Sequence, residues 1–360
     1  MSAAETRTPA AVRERILKAV DAFGLPRLTV VLFLVFLFVL GGIKGVPIDD
    51  LASNSLGRFG MNAVMVLSMV PAVQCGIGPN FGLPLGLLAG VIGMVTSMEL
   101  RLTGFAGLAF ALGLGTLLGA LVGIAYGHLL NRVRGQEMMV GTYAGFAAVS
   151  GMCVFWLLMP FRNPQLLWPL GGTGLRVTIS LGDYFGNILD NLWVFRIGMV
   201  KVPTGLILLV LAVAAGYKLF EMTRVGTAMD LAGQNEQFAR AAGIDVARMR
   251  VTGTAVSTAM GAFGIVLYAQ TYGFVQLYLA PLMMAFPAVA AILIGGASPR
   301  NASIANALVG TLLFQSLLVT TVPVTQSVVR GDISEVVRLI VSNGMVLYAL
   351  TRGRGGGGNG

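Results

Sequence analysis

Long stretches of this chain carry no charge, and nothing else in the sequence constrains its fold as much. No Asp, Glu, Lys or Arg occurs in 28–40, 59–98, 102–131, 138–161, 202–217, 251–299, 301–329 or 339–351. A helix that crosses a bilayer needs about 20 predominantly apolar residues. The 40-residue run 59–98 and the 49-residue run 251–299 therefore each have room for two crossings. Only 11% of the 360 residues are charged, against about 25% in a soluble domain. That is too few to meet water over the whole surface, which excludes an ordinary soluble enzyme, a disordered chain and a small disulfide scaffold.

The fold class read from this pattern is all-α: a polytopic membrane protein with about ten transmembrane helices, some of them discontinuous. Pro, Gly and Asn clusters divide the apolar runs into spans at about 28–46, 61–77, 83–98, 105–130, 139–159, 203–220, 252–271, 282–297, 302–322 and 335–350. One transmembrane domain thus covers 28–350, between a cytoplasmic N-terminal segment, 1–27, and a disordered tail, 351–360. Ten crossings put both termini on the same side. With the N-terminus inside, the inner segments hold 14 basic residues and the outer ones seven, four of them in the long external loop 160–202. This is the excess of Lys and Arg that cytoplasmic loops carry, and it accounts for the net charge of +9 without nucleic acid as a partner. Membrane lipid is the partner the composition demands.

Gly115, Gly119, Gly123 and Gly127 recur every four residues, as do Gly82, Gly86 and Gly90. That spacing places each set on one helix face, where a neighbouring backbone can approach. The segment VQCGIGPNFGLPLG (73–86) interrupts a charge-free run with Pro79, Asn80 and Pro84. It reads either as a discontinuous helix pair bordering a polar pathway or as a short cytoplasmic hairpin. The stretch 181–198 of the external loop mixes aromatics with Asp183, Asp190 and Arg196; it either lies in the interface plane or meets an external partner. Cys75 and Cys153 lie in apolar stretches and read as free thiols.

The longest internal polar segment, 221–251, encodes a short helix. Asn235 is a good N-cap, and Glu236 sits at the positive end of the helix dipole with Arg240 at the negative end. Glu236 and Arg240 are four residues apart, the favourable ion-pair order, and Gly243 ends the helix in a left-handed conformation. About seven residues are too few to persist alone, so the membrane domain or a partner must hold them.

TRVG (223–226), AGQNEQFARAAGIDV (232–246) and AILIGGASPRNASIANALVGTLL (291–313), together with NAVMVLSMV (62–70) and NRVRGQE (131–137), resemble the permeases of bacterial ABC importers for ribose-type sugars, nucleosides and branched-chain amino acids. The resemblance covers most of 55–350. It implies that the short helix couples to a cytoplasmic ATP-binding cassette subunit, with Gly233, Asn235, Ala241, Ala242, Gly243 and Ile244 matching the family pattern and Glu236 and Arg240 beside them. It also implies an extracytoplasmic solute-binding protein, a second permease subunit (homo- or heterodimer) and a place in the bacterial inner membrane. GIGPNFGLPLG stands where sugar permeases carry a GIDLSVG-like string, and SPRNAS (298–303) where they are glycine-rich. RGQEMMVGT (134–142) is closer to the nucleoside branch.

The chain has no GxxxxGK[ST] phosphate loop and a single histidine, His128. ATP binding by that device, a Ser–His–Asp triad elsewhere and a multi-histidine metal site are thereby excluded. No enzymatic activity, cofactor or metal is expected. The span interiors hold no carboxylate, which argues against ion-coupled transport. The expected function is the permease subunit of an ATP-driven importer for a sugar or nucleoside-like solute, along a pathway lined by uncharged groups. Gln74, Asn80, Gln270 and Asn306 are the candidates, each equally able to serve as a helix–helix hydrogen bond. The alternatives are a gradient-driven transporter, a membrane scaffold, or branched-chain amino acid specificity within the same family.

Overall fold

In a bilayer every backbone polar group must be satisfied within the protein, so long apolar runs fold as helices. The computed structural model describes residues 25–168, 174–328 and 333–353. In chain order it contains α1 (Leu25–Ile43), α2 (Ile48–Leu67), α3 (Met69–Gln74), α4 (Leu83–Glu99), α5 (Gly104–Arg132), α6 (Glu137–Leu158), β1 (Thr178–Ser180), α7 (Ile188–Asn191), β2 (Phe195–Ile197), β3 (Val200–Val202), α8 (Thr204–Glu221), α9 (Arg224–Gln234), α10 (Glu236–Ala241), α11 (Val246–Tyr272), β4 (Phe274–Gln276), α12 (Ala280–Met283), α13 (Ala285–Ile294), α14 (Ile304–Val328) and α15 (Ile333–Gly353).

Each predicted span coincides with a helix. Among the described residues six are long and apolar enough to cross a membrane: Ile48–Gln74 (α2 running into α3), α5, α6, α8, α11 and α14. They make this a multi-pass membrane protein. The other predicted spans fall on shorter apolar stretches, Arg27–Ile43, Leu83–Glu99, Ala280–Ile294 and Val336–Met345. Four short strands also depart from a purely helical reading. Most of 1–27 and residues 354–360 lie outside the described residues. Residues 351–353 belong to α15, so the tail predicted from 351 is helical at its start.

The second span begins 13 residues earlier than predicted. Pro47 precedes its first turn, and Asp49 and Asp50 sit at the positive end of the helix dipole. The polar stretch that reads as an external segment is therefore helical, and Arg58 lies inside the helix. It stands ten residues along from Ile48, or about 15 Å at 1.5 Å per residue.

α11 is the axis of the bundle and packs against α5, α4 and α2; α14 packs against α2, α13, α15 and α1. In lipid, helices associate mainly through close van der Waals contact rather than apolar burial, and the glycine series supplies that contact. A Cβ on Gly123 would lie 2.7 Å from the Cα of Ala255, and one on Gly90 would lie 2.4 Å from the Ala262 carbonyl oxygen. Gly86 and Gly90 of α4 and Gly119, Gly123 and Gly127 of α5 thus press against α11, and Gly115 meets Gly90 between α5 and α4, while Leu117, Leu121, Phe146 and Leu157 of α5 and α6 are exposed on the outside.

The bundle has two distinct ends. At the far end, β1 pairs antiparallel with β4, Ile179 opposite Val275. Asn163 donates to the Met98 carbonyl at 2.7 Å and to the Tyr184 hydroxyl at 2.8 Å. The β2–β3 hairpin exposes Phe195, Ile197 and Met199. At the near end, the 222–245 segment meets residues 75–82 and the 131–136 and 295–303 turns.

Candidate functional site

The near end carries the short helix that the sequence specifies. Asn235 closes α9 and opens α10; its side-chain oxygen accepts the Phe238 N–H at 2.9 Å. Six residues later the chain stops in a Schellman turn. The Ile244 N–H donates to the Ala239 carbonyl at 2.9 Å and the Gly243 N–H to the Arg240 carbonyl at 3.0 Å, with Gly243 at φ +78°. Asp245 then caps α11 through the Arg248 N–H at 3.0 Å. Caps at both ends allow so short a helix to exist.

Its inner face is anchored. Ala239 is fully buried and packs with Ala232 and Val246, flanked by Leu231, Ile244 and Met249. Its outer face presents Phe238 (57% exposed), Arg240, Ala241 and Ala242. Phe238 escaped the sequence reading, although an aromatic in a polar six-residue helix signals a contact surface. The Glu236 carboxylate accepts from Arg240 and from Arg134 of the α5–α6 turn, each at 2.6 Å. The Arg240 hydrogen bond, helped by Arg134, holds this carboxyl below the usual carboxylate range.

α9, whose polar composition reads as a loop, connects α10 to the bundle. Thr223 caps it by accepting the Gly226 N–H at 3.1 Å. Gly233 faces inward, away from the exposed surface of α10. A Cβ there would lie 2.1 Å from the Gln74 carbonyl oxygen and 2.8 Å from the Gly76 nitrogen. The backbone of α9 thus rests directly on residues 74–76, where the second span ends.

Residues 75–82 are a non-helical connection between α3 and α4 at this end. Arg250, at the first turns of α11, fastens them to the α5–α6 turn. Its guanidinium donates to Glu137 at 2.5 Å, to Asn131 at 3.0 Å and to the Gly76 carbonyl at 3.4 Å. Asn80 is buried and donates to Ser257 at 2.9 Å, while its side-chain oxygen has no partner among the described residues.

The four predicted pathway residues do not share one site. Gln74 donates to Glu221 at 2.7 Å and accepts from Tyr217 at 2.5 Å. It lines a cavity of about 810 Å³ between α8, α9 and the start of α14, with Lys218, Asp230 and Gln234. Asn306 is nearby, donating to the Gly295 carbonyl at 2.9 Å and accepting from Ser303. The crossing of α13 and α14 there is too close for a side chain on Gly295, which explains the IGG string. Gln270 lies at the opposite end, donating to Asp190 at 3.0 Å and accepting the Leu189 N–H. Among the described residues no three His, Cys, Asp or Glu side chains gather as a metal site. Cys75 and Cys153 are free thiols.

A family model described as a branched-chain amino acid transport system permease component matches residues 51–350. The nucleoside ABC transporter permease protein NupC of Lactococcus lactis subsp. cremoris is 28% identical over 210 residues, covering 57% of this chain. The match spans 61% of that relative's length, less than two thirds of it.

Proposed function

Because the chain belongs to the family of branched-chain amino acid transport system permease components, we propose that it is the membrane-spanning subunit of an ATP-driven importer. The solute is a small polar molecule of nucleoside or sugar type, delivered by an extracytoplasmic binding protein. The near end faces the cytoplasm, where α10 docks on an ATP-binding cassette subunit. A second permease subunit completes the pathway. In this reading the shorter apolar helices cross as well, giving ten crossings in a bacterial inner membrane with both termini inside. The similarity to a nucleoside permease favours that solute class.

The observation that carries this reading is the construction of α10. It is capped at both ends, anchored by Ala239 and exposed at Phe238, and it continues into α9, whose backbone touches the broken span at Gln74 and Gly76. A push on α10 therefore reaches the membrane helices without crossing a flexible linker. The subunit has no chemistry of its own to perform; it converts a movement at α10 into opening at one end of the bundle and closure at the other.

Affinity purification of the permease from native membranes tests the assignment. An ATP-binding subunit should accompany the native chain and be lost with Phe238→Asp or Arg240→Glu. ATP-dependent uptake should be lost with it. Solute uptake by the reconstituted permease alone, driven by an ion gradient and indifferent to these changes, would overturn the proposal in favour of a gradient-driven transporter.

A further inference from the structure

An arginine inside a membrane span ordinarily pairs with a carboxylate or faces a water-filled cavity, because an unpaired charge in hydrocarbon is costly. Arg58 has no carboxylate partner among the described residues. It opens on a cavity of about 150 Å³ bounded by α2, α11, α12, α13 and α14, in the half of the bundle towards the far end. Asn62, Tyr268, Gln315, Met283 and Met284 share that cavity.

Each side chain restricts what could fill it. Asn62 uses its amide nitrogen on the Arg58 carbonyl at 2.9 Å, which leaves its side-chain oxygen free to accept. Gln315 is 5% exposed, yet its carboxamide forms no hydrogen bond with a described residue. It lines the cavity, where a ligand or a water can satisfy it. Tyr268 stacks on Tyr272 with centroids 5.6 Å apart, and Tyr272 meets Phe274 edge-on at 6.0 Å. An aromatic surface thus runs from the far end into the cavity.

We propose that this cavity binds the base of an oxopurine nucleoside during transport, with Arg58 donating to the paired acceptors on one edge of the base. A guanidinium fork matches the adjacent O6 and N7 of such a base. The carboxamides of Asn62 and Gln315 suit its remaining donors and acceptors, and the tyrosine and methionine surfaces suit a flat ring. A free amino acid could pair its carboxylate with Arg58, but its ammonium would find no acidic group among the lining residues and it offers no flat ring to the aromatic surface. A sugar can lay a C–H face on the aromatic surface but presents no coplanar pair of acceptors to the guanidinium fork. The cavity is smaller than the roughly 300 Å³ or more of a pocket that encloses a whole ligand. It holds one ring system and leaves the ribose outside. The uncharged lining expected from the sequence is thereby replaced by a lining with one cation.

This inference rests on the importer reading above, and one experiment separates the two. The permease, co-expressed with its ATP-binding subunit and binding protein, is reconstituted in vesicles and given labelled inosine, 7-deazainosine, ribose and leucine. The native chain should take up inosine with ATP. Arg58→Gln should lower inosine uptake about tenfold, the loss of one charged hydrogen bond, while changing uptake of 7-deazainosine, which lacks the N7 acceptor, much less. Arg58→Lys, which keeps the charge but loses the fork, should fall between. Equal losses for inosine and its deaza analogue, or no loss for either, would overturn the proposed contact. ATP-dependent uptake of ribose or leucine but not inosine would overturn the solute class and leave the importer reading standing. No ATP-dependent uptake of any solute would overturn both.

Discussion

Replacing Arg250 with Met should destabilise the near end more than any other single change considered. Its guanidinium is 6% exposed and its partner carboxylate, Glu137, 13%, at a separation of 2.5 Å. Neither group can turn to water when the other is removed. A stranded buried charge costs about 3–5 kcal/mol. The bond to Asn131 at 3.0 Å adds to the loss, whereas the contact with the Gly76 carbonyl at 3.4 Å is too long to add much. Combining Arg250→Met with Glu137→Gln removes the stranded charge and should restore about 2 kcal/mol or more of the deficit. Equilibrium unfolding of the purified permease in mixed micelles, followed by tryptophan fluorescence, provides the measurement. A single variant within about 1 kcal/mol of the native chain, or a double variant no more stable than the single one, would refute the reasoning.

Other changes act on α10 and on the helix crossings. Asn235→Ala removes the cap on the Phe238 N–H and should cost about 1 kcal/mol, read as faster local hydrogen exchange at 236–241. Gly243→Ala forces a side chain into φ +78° and should cost about 1–2 kcal/mol, with a matching loss of bound ATP-binding subunit. The Glu236 carboxyl is held below its ordinary range by Arg240, so its contribution is present at neutral pH and lost as pH falls through that lowered value. Retention of the ATP-binding subunit, measured down a pH series, should drop in that acidic window, and Glu236→Gln should flatten the drop. Gly123→Leu inserts a side chain where even a Cβ comes within 2.7 Å of Ala255; it should cost about 1–3 kcal/mol, seen as a lower melting temperature in detergent.

Much of the fold is legible because charge-free runs and helices have the same cause. The glycine faces were readable too, since a spacing of four has one meaning on a helix. What escaped was polar sequence placed in a helix by its surroundings. Residues 48–60 mix Asp, Ser, Asn and Arg and look like a loop; packing against α14 makes them helical and places Arg58 inside α2. α9 has the composition of a loop for the same reason. Asn235, Glu236, Arg240 and Gly243 were found because capping and ion pairing are local. Gln270 could not be placed beside or apart from Gln74, because an amide's partner is set by the tertiary fold. For Gly233 the family pattern marked the position, but only the approach of Gln74 and Gly76 reveals which way it faces.

The contact between Gly233 and residues 74–76 is backbone against backbone, and this determines how movement passes through it. Side chains between two moving parts absorb displacement by changing rotamer, as loose teeth in a gear train absorb the first part of a turn. Here no rotamer is available to absorb anything, so the joint has no backlash. In the proposed transport cycle, a small displacement of α9 would move the end of the second span with it, in both directions. A side chain at position 233 would do more than crowd the joint: it would introduce slack into the stroke.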